Sequence, residues 1–150
     1  MTIIAYRDGV LAADREVNDG RDLAVGKHAK IFRFNGCLYG CAGETGTTEV
    51  FKRWLNEHAE RPPFTKDWEA IKIEPNSAVY HAGGDFEFVQ LEAAYHAIGN
   101  GAYTALGAFF MGATPEQAVA AASLHMYGCG GGVDVLKLNV EDIRHDNSAV

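Results

Sequence analysis

Short apolar runs separated by glycine-containing turns dominate the first forty residues. Two runs are joined by Arg7-Asp8-Gly9 and two more by Asn35-Gly36. Asp-Gly and Asn-Gly are preferred hairpin turns because both residues tolerate a positive φ. The first pair of runs does not alternate cleanly between apolar and polar positions, so both of its faces are expected to be covered. The sequence therefore predicts two hairpins, built from residues 2–6 with 10–14 and 30–34 with 37–41.

After Gly43 the period of the apolar positions changes to that of a helix. The clearest helix start lies at Thr114, where Pro115 takes the first helical position and Gln117 completes a capping box. Loops are predicted around residues 18–20 and 25–26. The remaining predicted elements are a helix through Val50 and Leu55 that ends before Pro62, an ambiguous segment from Phe64 to Pro75, a third hairpin over residues 78–91, a strand at Ala97-Ile98, a helix from Ala102, the helix from Thr114 to about Tyr127, and a strand from Val133 to Val140.

Hairpins with helices grouped between them are typical of the α+β class, in which sheets are covered by helical layers. With 150 residues, the chain has the length of one domain, so residues 1–150 are expected to fold as a single unit. Hydrophobic residues make up 47% of the chain and charged residues 22%, a composition that excludes a disordered or fibrous protein.

The charge balance argues against two classes of partner. Thirteen Lys and Arg residues stand against 20 Asp and Glu residues, which gives a net charge of −7. Nucleic acids and anionic membranes bind clustered cations, and the sequence contains no basic run. Its apolar runs are also far shorter than the ~20 residues that a membrane span requires. We therefore expect neither a nucleic-acid nor a membrane partner.

Cysteine and histidine positions predict no bound metal or cofactor. The cysteines, Cys37, Cys41 and Cys129, are odd in number and the N-terminus lacks a signal-peptide pattern, so a reducing, cytoplasmic location is expected. The six histidines are scattered. Gly99-Asn100-Gly101 and the glycines of residues 128–132 do not complete a nucleotide-binding fingerprint.

Thr2 is the first candidate for chemistry. Threonine is small enough that an initiator methionine before it is normally removed, which would leave Thr2 as the N-terminal residue. An N-terminal threonine combines a hydroxyl nucleophile with an α-amine that can act as its base. The α-amine has an ordinary pKa of about 7.7–8.0, so it can accept a proton near neutral pH. The alternative is that Thr2, like most N-terminal threonines, has no catalytic role.

Hairpin geometry adds Asp14, Lys30 and Gly43 to the candidate site. A three-residue loop in the first hairpin places Thr2 opposite Asp14, whereas a two-residue loop places Asp14 opposite Ile3 on the other face; we expect the three-residue loop. In the second hairpin the Asn35-Gly36 turn places Lys30 across from Cys41. Gly43 then points the same way, and a glycine there lets a backbone N–H approach a developing oxyanion. A purely structural Asp14–Lys30 ion pair is the alternative.

Taken together, these residues resemble the proteasome β-type N-terminal-threonine hydrolases, as a small bacterial or phage-like member. The resemblance implies a four-layer α-β-β-α sandwich of two antiparallel sheets and hydrolysis of peptide bonds in a self-compartmentalised homo-oligomeric ring, with an unfoldase ATPase as a further partner. It implies that Thr2 is nucleophile and base, that Asp14 orients Lys30, that Lys30 polarises the Thr2 hydroxyl, and that the Gly43 amide forms the oxyanion hole. The motifs that carry it are Thr2-Ile-Ile-Ala-Tyr, Gly9-Val-Leu-Ala-Ala-Asp14, Ala29-Lys30-Ile-Phe-Arg, Cys41-Ala-Gly43, Ala97-Ile-Gly-Asn-Gly101 with Tyr103-Thr-Ala-Leu-Gly107, and Gly130-Gly-Gly-Val-Asp-Val-Leu-Lys-Leu138.

The chain departs from the family pattern at the residues that help to hold the N-terminal amine. Asn100 replaces a common Ser, His125-Met126 stand where an Asp is usual, and Cys129 replaces a small hydroxyl residue. Asn100 and Cys129 are therefore supporting candidates. The second helix of one family layer is expected to be reduced to the Phe64–Pro75 segment. Two alternatives remain: a catalytically silent ring subunit with a structural or adaptor role, and an amidase acting on a small molecule.

Overall fold

A computed structural model describes residues 1–19, 23–57 and 67–139 of the chain. Eleven strands and three helices lie in these residues. The strands are β1 (Ile4–Arg7), β2 (Val10–Asp14), β3 (Glu16–Asn18), β4 (Ala24–Lys27), β5 (Ile31–Phe34), β6 (Cys37–Ala42), β7 (Glu69–Ile73), β8 (Val79–Ala82), β9 (Val89–Leu91), β10 (Tyr95–Ile98) and β11 (Val133–Lys137). The helices are α1 (Thr47–Glu57), α2 (Ala102–Phe110) and α3 (Pro115–His125).

The first sheet has the strand order β10-β1-β2-β11, and every pairing in it is antiparallel. Its hairpin turn contains two residues, Asp8 and Gly9, with φ of 49° and 80°. The prediction of a three-residue loop was therefore wrong. Asp14 lies opposite Ile3 rather than Thr2, and its N–H donates to the Ile3 carbonyl at 3.1 Å.

Arg7 accounts for this register, because tertiary contacts hold it in the strand rather than in the loop. Its Nη1 donates to the carbonyl of Phe109 at 2.8 Å, and its guanidinium lies 5.3 Å from the ring centroid of Tyr95. Both partners come from the distant α2–β10 region, so the local sequence carries no sign of them.

The second sheet is an antiparallel meander of β5, β6, β7, β8 and β9. The register predicted for the second hairpin is confirmed: Ile31 pairs with Gly40, and the Cys41 N–H donates to the Lys30 carbonyl at 3.3 Å. The expectation of a residual helix over Phe64–Pro75 was wrong for residues 69–73, which form the central strand β7; residues 64–66 of that segment lie outside the described residues. Residues 69–73 form a strand rather than a helix because Ala70 and Ile71 are buried on opposite faces of the sheet.

Three apolar clusters separate four layers, and the predicted α-β-β-α order is confirmed. The first cluster fills the space between the two sheets, with Ile4, Leu11, Leu38 and Ile71 among its members. The second lies between the first sheet and helices α2 and α3. The third is aromatic and joins the outer face of the second sheet to α1, with Phe51 at its centre.

The capping box predicted at Thr114 is present, with both of its hydrogen bonds formed, although α3 ends at His125 rather than near Tyr127. The ribbon of β3 and β4 was expected to be loop. Its strand β4 is exposed at all four positions, so no apolar alternation marks it in the sequence. In the part of the chain that the structure describes, no helix is long and apolar enough to cross a membrane.

Candidate active site

A cleft of about 1230 Å³ opens at the end of the sandwich where β1 begins and β6 ends. Two turns and one exposed ribbon surround it: the Gly99-Asn100-Gly101 turn, the residues that follow β6, and β3–β4. The predicted site residues that line it are Thr2, Lys30, Gly43 and Asn100. The fold therefore brings these four into one cavity.

Thr2 is buried at the base of this cleft, with 7% of its surface exposed. Its carbonyl accepts a hydrogen bond of 3.1 Å from the Gly101 N–H. Gly99 has φ of +93°, and a Cβ at this position would overlap the Thr2 carbonyl oxygen. Glycine at position 99 is thus required both by the backbone conformation and by the close approach to Thr2.

Asp14 is linked to the Thr2 region through the backbone of Ile3, a contact that the predicted register did not contain. Its side chain is fully buried, and its Oδ1 accepts from the N–H of Ile3 at 3.1 Å and from Lys30 Nζ at 2.9 Å. Its Oδ2 accepts from the N–H of Gly130 at 3.1 Å. A carboxylate that accepts three hydrogen bonds, one of them from an ammonium group, is held in a single orientation. Asp14 therefore fixes Lys30 and, at the same time, the backbone of the residue that follows Thr2.

Lys30 connects this carboxylate to the Met1–Thr2 peptide bond. Its side chain is 9% exposed, and its Nζ donates a second hydrogen bond of 2.9 Å to the carbonyl oxygen of Met1. Met1 itself packs on the glycine-rich loop, because a Cβ at Gly128 would lie 2.9 Å from the Met1 Cβ. The ammonium group is thus aimed at the peptide unit whose nitrogen belongs to Thr2.

Gly43 follows β6 and is exposed to the cleft. A Cβ at this position would come within 3.1 Å of Trp68 Cδ1 and 3.3 Å of Thr47 Oγ1. Any side chain there would have to displace one of these neighbours. A glycine at this position therefore lines the cleft with its backbone and fits closely against Trp68 and Thr47.

The two supporting candidates have different surroundings. Asn100 is exposed at the rim of the cleft. Cys129 is buried, and burial followed by the nearby charge of Asp14 raises the pKa of its thiol to about 11. The thiol is therefore neutral at physiological pH and not a nucleophile. His125 lies exposed in the last turn of α3, and Met126 caps that helix.

Three residues of the cleft were not identified as site candidates from the sequence. Cys41 was placed correctly across from Lys30, but the contact of its Sγ with Thr48 Oγ1 at 3.3 Å was not expected. Burial raises the pKa of this thiol to about 11. Glu16 and Glu69 also line the cleft. Both lie at the ends of strands that the sequence did not predict, so no pattern pointed to them. Within the described ranges, no group of His, Cys, Asp and Glu side chains could hold a metal ion.

Comparison with protein-family models and with curated proteins gave no match. Comparison with solved structures did. Thiobacillus denitrificans BPH superposes with a TM-score of 0.69 at 16% identity, over 93% of this chain and 99% of that one. The same protein in complex with epoxomicin gives a TM-score of 0.67 at 15% identity, with the same shares covered.

Eukaryotic HslV from Trypanosoma brucei gives a TM-score of 0.67 at 18% identity, over 90% of this chain and 97% of that one. At these identities, the similarity over nearly the full length of both chains is a similarity in the order and packing of the layers. The chain therefore has the proteasome-type fold of BPH and HslV, and the resemblance that its motifs predicted is confirmed at the level of the fold.

Proposed function

We propose that the protein is a threonine-type peptidase in which Thr2, after removal of Met1, is the nucleophile. The observation that carries the proposal is the position of Lys30. Its ammonium group lies between the buried Asp14 carboxylate and the peptide bond that joins Met1 to Thr2. This pairing supports a role for Lys30 at Thr2 in addition to a role in stabilising the fold.

Removal of Met1 changes two groups at once. It exposes the α-amine of Thr2, and it takes away the carbonyl oxygen that accepts the second Lys30 hydrogen bond. One N–H of Lys30 is then released to donate to the Thr2 hydroxyl, and the positive charge favours the developing alkoxide. The free α-amine accepts the hydroxyl proton, so a single residue supplies both nucleophile and base.

In the first step the Thr2 oxygen bonds to the carbonyl carbon of the substrate. Charge that develops on the substrate oxygen is stabilised by the N–H of Gly43, in the cleft that Thr2 shares. The proton held by the α-amine then passes to the leaving nitrogen, the C–N bond breaks, and an ester to Thr2 remains. Water hydrolyses that ester with the same amine as base and regenerates the hydroxyl.

Several features support this assignment. The Thiobacillus denitrificans protein of the same fold has been solved in complex with epoxomicin. The cleft volume of about 1230 Å³ is ample for an extended peptide. We further propose polypeptide substrates, assembly into a homo-oligomeric ring, a cytoplasmic location and an unfoldase ATPase as partner, in keeping with the HslV-like fold.

The second candidate function is a catalytically silent ring subunit. It is favoured by the residues at the positions where the family pattern has groups that hold the α-amine. His125 and Met126 supply no carboxylate, and the neutral thiol of Cys129 is a weak hydrogen-bonding substitute for a hydroxyl. If these residues fail to hold the amine, the Asp14–Lys30 pair has a structural role only.

The experiment is an intact-mass measurement on the purified protein after incubation with epoxomicin. A peptide epoxyketone requires both the hydroxyl and the free α-amine of an N-terminal threonine. We expect a mass that has lost one methionine and gained one inhibitor. A protein that has lost methionine but forms no adduct contradicts the peptidase assignment and favours the silent subunit.

Two variants and one control make the result specific. Thr2→Ala and Lys30→Ala should both abolish adduct formation, because each removes a group that the reaction needs. Thr104→Ala, in α2 and outside the cleft, should react like the unmodified protein. An undiminished rate in Lys30→Ala would remove Lys30 from the mechanism.

A further inference from the structure

Glu69 stands between the two backbone segments that flank Thr2. It is the first residue of β7, and the register of the second sheet places it directly opposite Ala42, the residue before Gly43. Its side chain reaches in the other direction to the first sheet. There its Oε2 accepts a hydrogen bond of 3.1 Å from the N–H of Gly99.

Gly99 begins the turn on which the Thr2 backbone rests. Gly101, two residues further on, donates its N–H to the Thr2 carbonyl at 3.1 Å. The turn also closes on itself, since the Ala102 N–H donates to the Gly99 carbonyl at 3.1 Å. A contact that holds Gly99 in place therefore also holds the Gly101 N–H that donates to Thr2, because the two glycines lie in the same closed turn.

The same carboxylate is held from its other side. Its Oε1 lies 3.7 Å from His81 Nε2 on the neighbouring strand β8, and His81 Nδ1 is 3.0 Å from His96 Nε2 on β10. These polar contacts join the two sheets at this end. They run from His96 on β10 to His81 on β8, then to Glu69 on β7, and end at Gly99, the residue after β10. Apolar packing joins the sheets elsewhere in their interface.

We propose that Glu69 is a positioning residue for the reaction at Thr2: its carboxylate anchors the Gly99-Asn100-Gly101 turn and thereby sets the place of the nucleophile relative to Gly43. The proposal rests on the proposed function for its catalytic consequence, but its structural part does not. The property that matters is an acceptor oxygen at the reach of a Glu side chain, not the negative charge. Glu69→Gln keeps both the reach and one acceptor, whereas Glu69→Asp keeps the charge and is one methylene shorter.

The test combines the rate of epoxomicin adduct formation with hydrogen exchange at the turn. We expect Glu69→Ala and Glu69→Asp to form the adduct about tenfold more slowly, which corresponds to the loss of one hydrogen bond. Glu69→Gln should stay within about threefold of the unmodified protein. The amides of Gly99 and Gly101 should exchange at least about tenfold faster in Glu69→Ala and Glu69→Asp only. Glu74→Ala, which removes a carboxylate just beyond the other end of β7, is the matched control and should change neither reading.

The outcomes separate the two proposals. If the unmodified protein forms no adduct, the proposed function fails and hydrogen exchange alone decides the role of Glu69. Equal exchange at Gly99 and Gly101 in all the variants would overturn the positioning role, whatever the adduct shows. A slow adduct in Glu69→Gln would overturn it as well, because the acceptor is retained there. If Glu69→Ala does not fold, the comparison of Glu69→Asp with Glu69→Gln makes the same decision.

Discussion

Replacing Asp14 with Asn tests the buried ion pair most directly. The carboxylate is fully buried and accepts three hydrogen bonds, from the backbone of Ile3, the backbone of Gly130 and the ammonium of Lys30. An asparagine side chain has nearly the same shape but only one acceptor oxygen. The variant therefore leaves at least one donor facing an NH₂ group and leaves Lys30 without a counter-ion.

The expected cost follows from these contacts. Breaking a buried ion pair by removing one partner typically costs about 3–5 kcal/mol, because the remaining charge is unpaired. We expect Asp14→Asn to lower the free energy of unfolding by that amount. With a urea dependence of about 2 kcal/mol per M, the midpoint should fall by about 1.5–2.5 M. Asp134→Asn is the control, since its pair with Arg15 at 3.2 Å is partly exposed and should contribute less than about 1 kcal/mol.

The assay is urea unfolding followed by far-ultraviolet circular dichroism, at one protomer concentration for all variants. A double-mutant cycle with Lys30→Met completes it. Once the ammonium is gone, the Asp14→Asn substitution no longer leaves a buried charge unpaired, so the double variant should be more stable than the sum of the single losses by about 1–3 kcal/mol. Additive losses, or an Asp14→Asn midpoint within about 0.5 M of the unmodified protein, would refute the account of the pair.

Three further predictions concern other parts of the fold. Gly99→Ala should lower Tm by at least about 4 °C, because of the positive φ and the overlap with the Thr2 carbonyl, whereas Gly107→Ala, with open space at its Cβ, should leave Tm unchanged or raise it; equal effects would contradict the packing described. Burial, followed by the charge of His81, lowers the pKa of His96 to about 4 from 6.5. The unfolded chain therefore takes up this proton more readily, so the contribution of His96 to the free energy of unfolding is fully present above pH 6.5 and is lost as pH falls toward 4, by no more than about 3 kcal/mol. His96→Gln should flatten this part of the plot of unfolding free energy against pH, and an unchanged slope would exclude His96 as its source. Thr114→Ala removes the capping box and should cost about 1 kcal/mol, seen as a Tm lower by about 2–4 °C; no shift would mean that the cap adds nothing to the native fold.

Local signals in the sequence were sufficient for much of the fold. The Asn35-Gly36 turn, with φ of 48° and 77°, set the register of the second hairpin as predicted. The first hairpin carries a similar signal in Asp8-Gly9, yet its register was misjudged. Residues on both faces of β1 and β2 are apolar and buried, so a shift of one position leaves the hydrophobic pattern equally satisfied. Contacts between distant residues, such as the hydrogen bond from Arg7 to the Phe109 carbonyl, favour the observed register.

The candidate site shows the same division between local and distant information. Thr2 was selected for its chemistry, and Asp14, Lys30 and Gly43 were selected from hairpin geometry and from the family resemblance; the structure brings all four to one end of the sandwich. The contribution of Asp14 through the Ile3 N–H could not be foreseen from the predicted register. Glu69 escaped detection since β7 was not predicted as a strand, and its partner Gly99 lies in the other sheet.

The contact between Gly43 and Trp68 gives the cleft an optical reporter. The chain contains two tryptophans, and Trp54, on α1, is not among the residues that line the cleft. Trp68 stacks on Phe86 with ring centroids 4.3 Å apart, while its Cδ1 borders the backbone of Gly43. In a Trp54→Phe background the emission of a single indole reports on the segment that would receive the substrate oxygen. Occupation of the cleft then becomes a fluorescence titration, which requires neither turnover nor a labelled ligand.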